Sequence, residues 1–178
     1  MDSVTSGEIR VNGSHIERFD DDKLTKYRAH NVGFVFQSYN LIPNLTAREN
    51  IELMKEIVDV DVDSLAILDC VDLKNHADHF PIQLSCGEQQ RVSITRALAK
   101  KPMMILCDEP TGSLDSKTGF HILELLQETC KRNNTTVIIV THNQMLSKAA
   151  DKTMKIKNGI IERVDVNGMP KKISELNL

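Results

Sequence analysis

Three short apolar runs punctuate the chain: Val32-Gly33-Phe34-Val35-Phe36, Met103-Met104-Ile105-Leu106-Cys107 and Thr136-Val137-Ile138-Ile139-Val140. Each is too short for a buried helix and is apolar at consecutive rather than alternate positions. That pattern predicts strands covered on both faces, as in a parallel sheet. Between the runs the period changes. Ile94, Ala97 and Leu98 share one face of a helix predicted from the Ser85 region to Lys100. Ile122, Leu125 and Leu126 do the same in a second helix that follows Asp115. Thr46-Ala47-Arg48-Glu49 has the form of a capping box, in which hydroxyl and carboxylate serve opposite ends of the first turn. It predicts a helix to about Ile57, with helical character continuing to about Val71. Gly7 to Gly13 reads as a short strand entering a turn. Asp20-Asp21-Asp22 reads either as a loop capping the next helix or as a binding patch. After His142 come a short helix and two small strands about Asn158-Gly159. The expected architecture is α/β, a single domain over 1–178 with an inserted α-helical subdomain at 45–84.

Composition narrows the function classes. The chain has 178 residues, enough for one domain with a sizeable core. A net charge of -3 gives no electrostatic case for nucleic acid or for an anionic membrane surface. No apolar run approaches the ~18 residues needed to cross a bilayer, so direct membrane insertion is not expected and any membrane role comes through a partner. Cys70, Cys86, Cys107 and Cys130 form no C-x-x-C pair, which reads as free thiols, with Cys107 acting as a small core hydrophobe.

The chemistry sits at the ends of the elements. Asp108 and Glu109 close the second apolar run, where α/β folds bind ligands beyond the carboxyl ends of parallel strands. Such a pair is either an ordinary strand-to-loop transition or a working site. In the latter, Asp108 would hold Mg²⁺ and Glu109 would polarise or orient a water behind a γ-phosphate. Ser85 and Gly87 begin a helix, a place whose free N–H groups attract phosphate, and whose Ser is otherwise a plain N-cap. Gln37 and His142 each end an apolar run. An amide carbonyl at the first suits Mg²⁺, and an imidazole at the second suits a phosphate oxygen. Alone, either is a structural residue. In order, however, the chain reads strand-Gln, Ser-x-Gly helix, strand-Asp-Glu, Ser-Leu-Asp, strand-Thr-His, with each group on the element that its chemistry requires.

That ordered set resembles the nucleotide-binding domain of ABC transporters, almost from end to end. Gln37 matches the Q-loop, and 84–89, with Ser85, Gly87 and Glu88, matches the signature motif. Residues 104–109 match Walker B, Ser113-Leu114-Asp115 the D-loop, and His142 the switch histidine. Gln37-Ser38-Tyr39-Asn40-Leu41-Ile42-Pro43 and Asp108-Glu109-Pro110-Thr111-Gly112-Ser113-Leu114-Asp115 are similar to the branch that exports macrolides or antimicrobial peptides, or releases lipoproteins. The resemblance implies a P-loop NTPase-type parallel sheet core and an ATPase that uses ATP and Mg²⁺. It also implies a membrane permease subunit, a head-to-tail second ATP-binding subunit, and a cytoplasmic place at the inner face of the membrane. Glu109 and His142 would be catalytic. Asp108 and Gln37 would serve the metal. Gln37, Ser85, Gly87, Glu88 and Asp115 would contact nucleotide.

Two departures accompany the likeness. Cys86 stands where the signature usually has its first glycine, which predicts a weakened phosphate contact, and backbone strain if φ there is positive. No G-x-x-x-x-G-K-[ST] phosphate loop occurs in the 178 residues. Against the family, Met1 falls just past that loop, so the expected core lacks the phosphate-loop strand and leaves its neighbours uncovered. The chain alone is therefore expected to bind Mg-ATP poorly and to be marginally stable. Two further readings follow: a non-catalytic partner that donates its signature motif to an intact subunit, or a truncated product without function.

Overall fold

The three apolar runs do become strands, and they lie side by side. The computed structural model describes residues 4–112 and 114–176. β1 (Arg10–Val11) and β2 (Ser14–His15) form a small antiparallel hairpin, followed by α1 (Asp21–Asn31). Asp20 caps α1, its carboxylate accepting from the Lys23 N–H at 2.8 Å, so the acidic run takes its capping role. Next come β3 (Val32–Val35), α2 (Ala47–Val58), α3 (Ser64–Asp69), α4 (Cys86–Ala99), β4 (Met104–Asp108), α5 (Ser116–Asn133) and β5 (Thr136–Val140). β6 (Lys152–Lys157) and β7 (Ile160–Val166) close the described chain as an antiparallel hairpin.

β3, β4 and β5 form a parallel sheet in that order, with β4 central. Val35 lies opposite Cys107, and Asp108 opposite Val140, so all three strands end at the same level. This register gathers Gln37, Asp108, Glu109 and His142 at one edge of the sheet. The core forms where α2, α4 and α5 lay their apolar positions against the strands: Ile51, Val92, Ile94, Ile105, Cys107, Ile122 and Leu126 are almost wholly buried. Burial pushes the Cys107 thiol up to about 12, with the nearby Cys130 a lesser cause, so it packs as a neutral apolar group.

Gly33 explains how close α4 comes to the sheet. A Cβ there would lie 3.1 Å from the Ala97 carbonyl oxygen and 3.2 Å from Pro102 Cγ. At the far end of α4, Lys100 donates from Nζ to the Ala29 and Arg28 carbonyls at 2.6 and 3.3 Å, satisfying the last turn of α1.

Two expectations change. The helical character foreseen through residue 71 breaks at Asp59, which ends α2 with φ 51°, and it resumes only for the six residues of α3. The short apolar runs were expected to be covered on both faces, and β5 is not. Val137 and Ile139 pack on the core, whereas Ile138 and Val140 on the opposite face are 45% and 62% exposed. β5 is also the edge strand, paired only with β4 among the described residues. In the terminal hairpin Met154, Ile156, Val164 and Val166 are exposed as well. The helices around this sheet reach one side of its last strand and leave the other bare.

Candidate functional site

An open cleft of about 430 Å³ lies at the carboxyl ends of β3 and β4, lined by Phe36, Gln37, Ser38 and Asp108. Gln37 and Asp108 reach it because Val35, two residues before Gln37, is paired with Cys107, and Asp108 is the last residue of β4. Both are exposed, so an amide carbonyl and a carboxylate are free to meet a ligand.

Glu109 turns the other way. Its backbone takes φ 46°, an uncommon state for a residue with a Cβ, and its N–H donates to the Val140 carbonyl at 3.0 Å. The turn aims its carboxylate at the end of β5. There Oε1 accepts from the His142 backbone N–H at 2.9 Å and lies 2.8 Å from His142 Nδ1, while Oε2 accepts from Thr141 Oγ1 at 3.1 Å. Burial works to raise this carboxyl. The bonds from the His142 ring and backbone, with the Thr141 hydroxyl, outweigh it and hold the group below its ordinary range. With Nδ1 engaged by a carboxylate, the imidazole carries its proton there and presents Nε2 outward from a side chain that is 87% exposed.

The start of α4 is a complete capping box. Ser85 Oγ accepts from the Glu88 N–H at 3.3 Å, and Glu88 Oε2 accepts from the Ser85 N–H at 2.7 Å. The second Glu88 oxygen lies 3.5 Å from His76 Nε2. Burial raises the Glu88 carboxyl, but the Ser85 N–H and hydroxyl, with His76 and Arg91, pull it below its usual value. Cys86 is the exposed first residue of α4 and is not among the positive-φ residues, so the strain considered for it does not arise. A Cβ on Gly87 would meet Leu114 Cδ2 at 3.3 Å, which sets this turn against the segment ahead of α5. Asp115 caps α5, accepting from the Thr118 N–H at 3.0 Å, and the Thr118 bonds lower its carboxyl. Ser113 lies outside the described residues.

Two groups of the foreseen residues therefore emerge. Gln37, Asp108, Glu109 and His142 gather at the sheet edge. Ser85, Gly87, Glu88 and Asp115 stand at the starts of α4 and α5, and among the described residues no hydrogen bond joins them to the first group. The sequence pattern named Thr141 without giving it a role; its hydroxyl also accepts from the Asn143 N–H at 3.1 Å. Its place directly before His142 is the only sequence signal of such a role.

The family model described as ABC transporter matches residues 1–112, well over half of the chain. The chain belongs to the ABC transporter family. It is 41% identical over 172 residues to the uncharacterized ABC transporter ATP-binding protein MJ0796 of Methanocaldococcus jannaschii, covering 92% of this chain and 73% of that one. It is also 41% identical over 182 residues to the putative ABC transporter ATP-binding protein MG065 of Mycoplasma genitalium. That match takes in 99% of this chain but only 39% of the relative, so the chain spans about two fifths of that ABC protein's length. Among solved ABC cassettes, the dimeric post-hydrolysis structure of MJ0796 bound to ADP and Pi superposes with a TM-score of 0.86 at 40% identity. It covers 94% of this chain and 77% of that one. The α/β fold class expected from the sequence, that of P-loop NTPases, is thereby established.

Proposed function

We propose that the chain is the ATP-binding and ATP-hydrolysing part of an ABC-type exporter, coupling hydrolysis to movement of a substrate through a membrane permease subunit. One observation carries this reading. The Glu109 carboxylate, one residue beyond Asp108, is fixed by His142 and Thr141 at the end of β5, while Gln37 and Asp108 line the cleft at the ends of β3 and β4, all at the level where three parallel strands end. A γ-phosphate in that cleft would meet His142 Nε2, and a water behind it would meet Glu109. The carboxylate is more acidic than usual, which suits it to orienting that water more than to retaining its proton.

Mg²⁺ fits the cleft on chemical grounds. Asp108 and the Gln37 carbonyl are hard oxygen donors opening on the same space. Mg²⁺ commonly takes only one or two protein ligands and completes its shell with water and phosphate oxygens. It would supply charge neutralisation to the triphosphate. Ser85, Gly87 and Glu88, with Asp115, would complete the nucleotide site of a second ATP-binding subunit arranged head to tail. The MJ0796 cassette is dimeric, which supports a second subunit by similarity. The motif stretches after Gln37 and Asp108 favour the macrolide, antimicrobial-peptide or lipoprotein-release branch. Among the described residues no helix is long and apolar enough to cross a membrane, which suits a peripheral subunit at the inner face. The helices between 45 and 84 would form the inserted subdomain.

The bare face of β5, with Ile138 and Val140 exposed, favours a second reading, in which that face meets another polypeptide segment or subunit. The lysine and N–H cradle would come from there, and this chain would contribute its Ser85 motif without holding nucleotide. Mixing decides between the two readings. Mg-ATP hydrolysis is measured for the chain alone and together with an intact cassette whose own signature serine is inactivated. Hydrolysis by the chain alone that Glu109→Gln abolishes supports the first reading. Hydrolysis only in the mixture, lost with Ser85→Arg but kept with Glu109→Gln, supports the second. No hydrolysis in either arm refutes both.

A further inference from the structure

Just after Gln37 the chain turns through two consecutive left-handed residues, Tyr39 at φ 61° and Asn40 at φ 48°. Asparagine visits that region readily, whereas an aromatic residue does so only when its surroundings hold it there. The turn ties itself together locally. The Tyr39 N–H donates to the Phe36 carbonyl at 3.2 Å and the Asn40 N–H to the Ser38 carbonyl at 2.6 Å. Ser38 Oγ donates to Asn40 Oδ1 at 3.0 Å. Both carbonyls of the left-handed pair then point at one cation from a distant part of the chain. Arg96 on α4 donates from Nη1 to the Asn40 carbonyl at 2.8 Å and from Nη2 to the Tyr39 carbonyl at 3.4 Å.

Arg96 is half-buried, and among the described residues it has no carboxylate within ion-pair distance. Burial pulls its guanidinium below the usual range. A desolvated cation needs acceptors, and a strained turn needs donors for its outward carbonyls. Each supplies what the other lacks.

We propose that Arg96 is a positioning residue, clamping the Tyr39–Asn40 turn to α4 so that α4 sets where Gln37 stands in the cleft beside Asp108. This rests on the reading of Gln37 as a nucleotide-site residue, and it adds a link between that residue and the helix whose first turn carries Ser85. When α4 shifts relative to the sheet, the clamp carries Gln37 with it. A lysine in place of Arg96 offers a point charge rather than a fork and reaches one carbonyl at a time.

The test is backbone hydrogen exchange in the chain without nucleotide, read alongside binding of a fluorescent Mg-ATP analogue. Arg96→Gln is expected to speed exchange of the Tyr39 and Asn40 amides about tenfold while amides of α4 keep their rates. Arg96→Lys is expected to fall between. Adding Tyr39→Gly to Arg96→Gln is expected to restore part of the protection, because glycine removes the steric cost of a positive φ without fixing it. Analogue binding should weaken in Arg96→Gln and recover in part in the double variant. Unchanged exchange at residues 39 and 40 overturns the proposal. So does a uniform rise across β3 and α4, which would mean general loosening. If the unaltered chain binds no analogue, the reading in which this chain itself holds nucleotide falls, and the exchange arm still decides the clamp.

Discussion

Replacing Asn50 tests how the loop behind Gln37 is held. Asn50 is fully buried on α2, and its side chain serves the 42–46 segment alone. Oδ1 accepts from the Ile42 N–H at 2.8 Å, and Nδ2 donates to the carbonyls of Ile42, Leu45 and Thr46 at 3.1, 2.9 and 3.0 Å. Two of those carbonyls have a second donor, since Ile42 also accepts from the Leu45 N–H and Thr46 from the Asn50 N–H. In Asn50→Ala the Ile42 N–H and the Leu45 carbonyl therefore lose their only partners among the described residues. At about 1–3 kcal/mol for each orphaned group, and with Ile42 and Leu45 partly open to water, the expected cost is about 2–3 kcal/mol. Asn50→Asp has the same shape but turns an oxygen toward three carbonyl oxygens, so its charged form is disfavoured and its folded pKa rises above the ordinary value of about 3.9. Such a group is fully tolerated only below its unfolded pKa, and stability falls as pH rises toward the folded one. Urea unfolding followed by circular dichroism should thus rank Asp below Ala at pH 7 and narrow the gap near pH 4. A loss under about 1 kcal/mol for Ala, or an Asp variant indifferent to pH, would refute the reasoning.

Thr141→Val removes one donor from the Glu109 carboxylate, so the Glu109 pKa should move upward in a carbon-detected NMR titration, with Thr141→Ser keeping it low. Because the folded pKa of Glu109 is depressed, its stabilising contribution is present above the ordinary carboxyl range and vanishes as pH falls through the folded value. The valine variant should lose part of that contribution. An unmoved titration would show that the hydroxyl has no hold on the site. Gly33→Ala drives a methyl against the backbone carbonyl of Ala97 and the stiff ring of Pro102, and should cost about 1–3 kcal/mol. A melting temperature equal to that of the parent would contradict the close α4–β3 approach.

Much of the site was legible because its signals are local. Strand ends near Gln37, Asp108 and His142, the capping box at Thr46 and the helix start at Ser85 are written in neighbouring residues whose hydrogen bonds close within a single turn. Other features had no local trace. The Arg96 clamp spans 56 residues of chain and ends on backbone carbonyls, which carry no residue code. The half-bare face of β5 was misjudged because consecutive apolar residues tell that both faces can be buried, not that both are. The helix end near Ile57 was foreseen within a residue, but the non-helical stretch from Asp59 to Asp63 was not, because a left-handed aspartate looks in sequence like any other polar helix residue.

By itself, the sequence determined which elements form and which chemical groups stand at their ends, since periodicity and capping act over a few residues. Only the tertiary structure decided that Glu109 turns from the cleft to His142 while Asp108 faces Gln37. Those directions depend on one left-handed backbone angle and on the parallel register of three strands far apart in the chain.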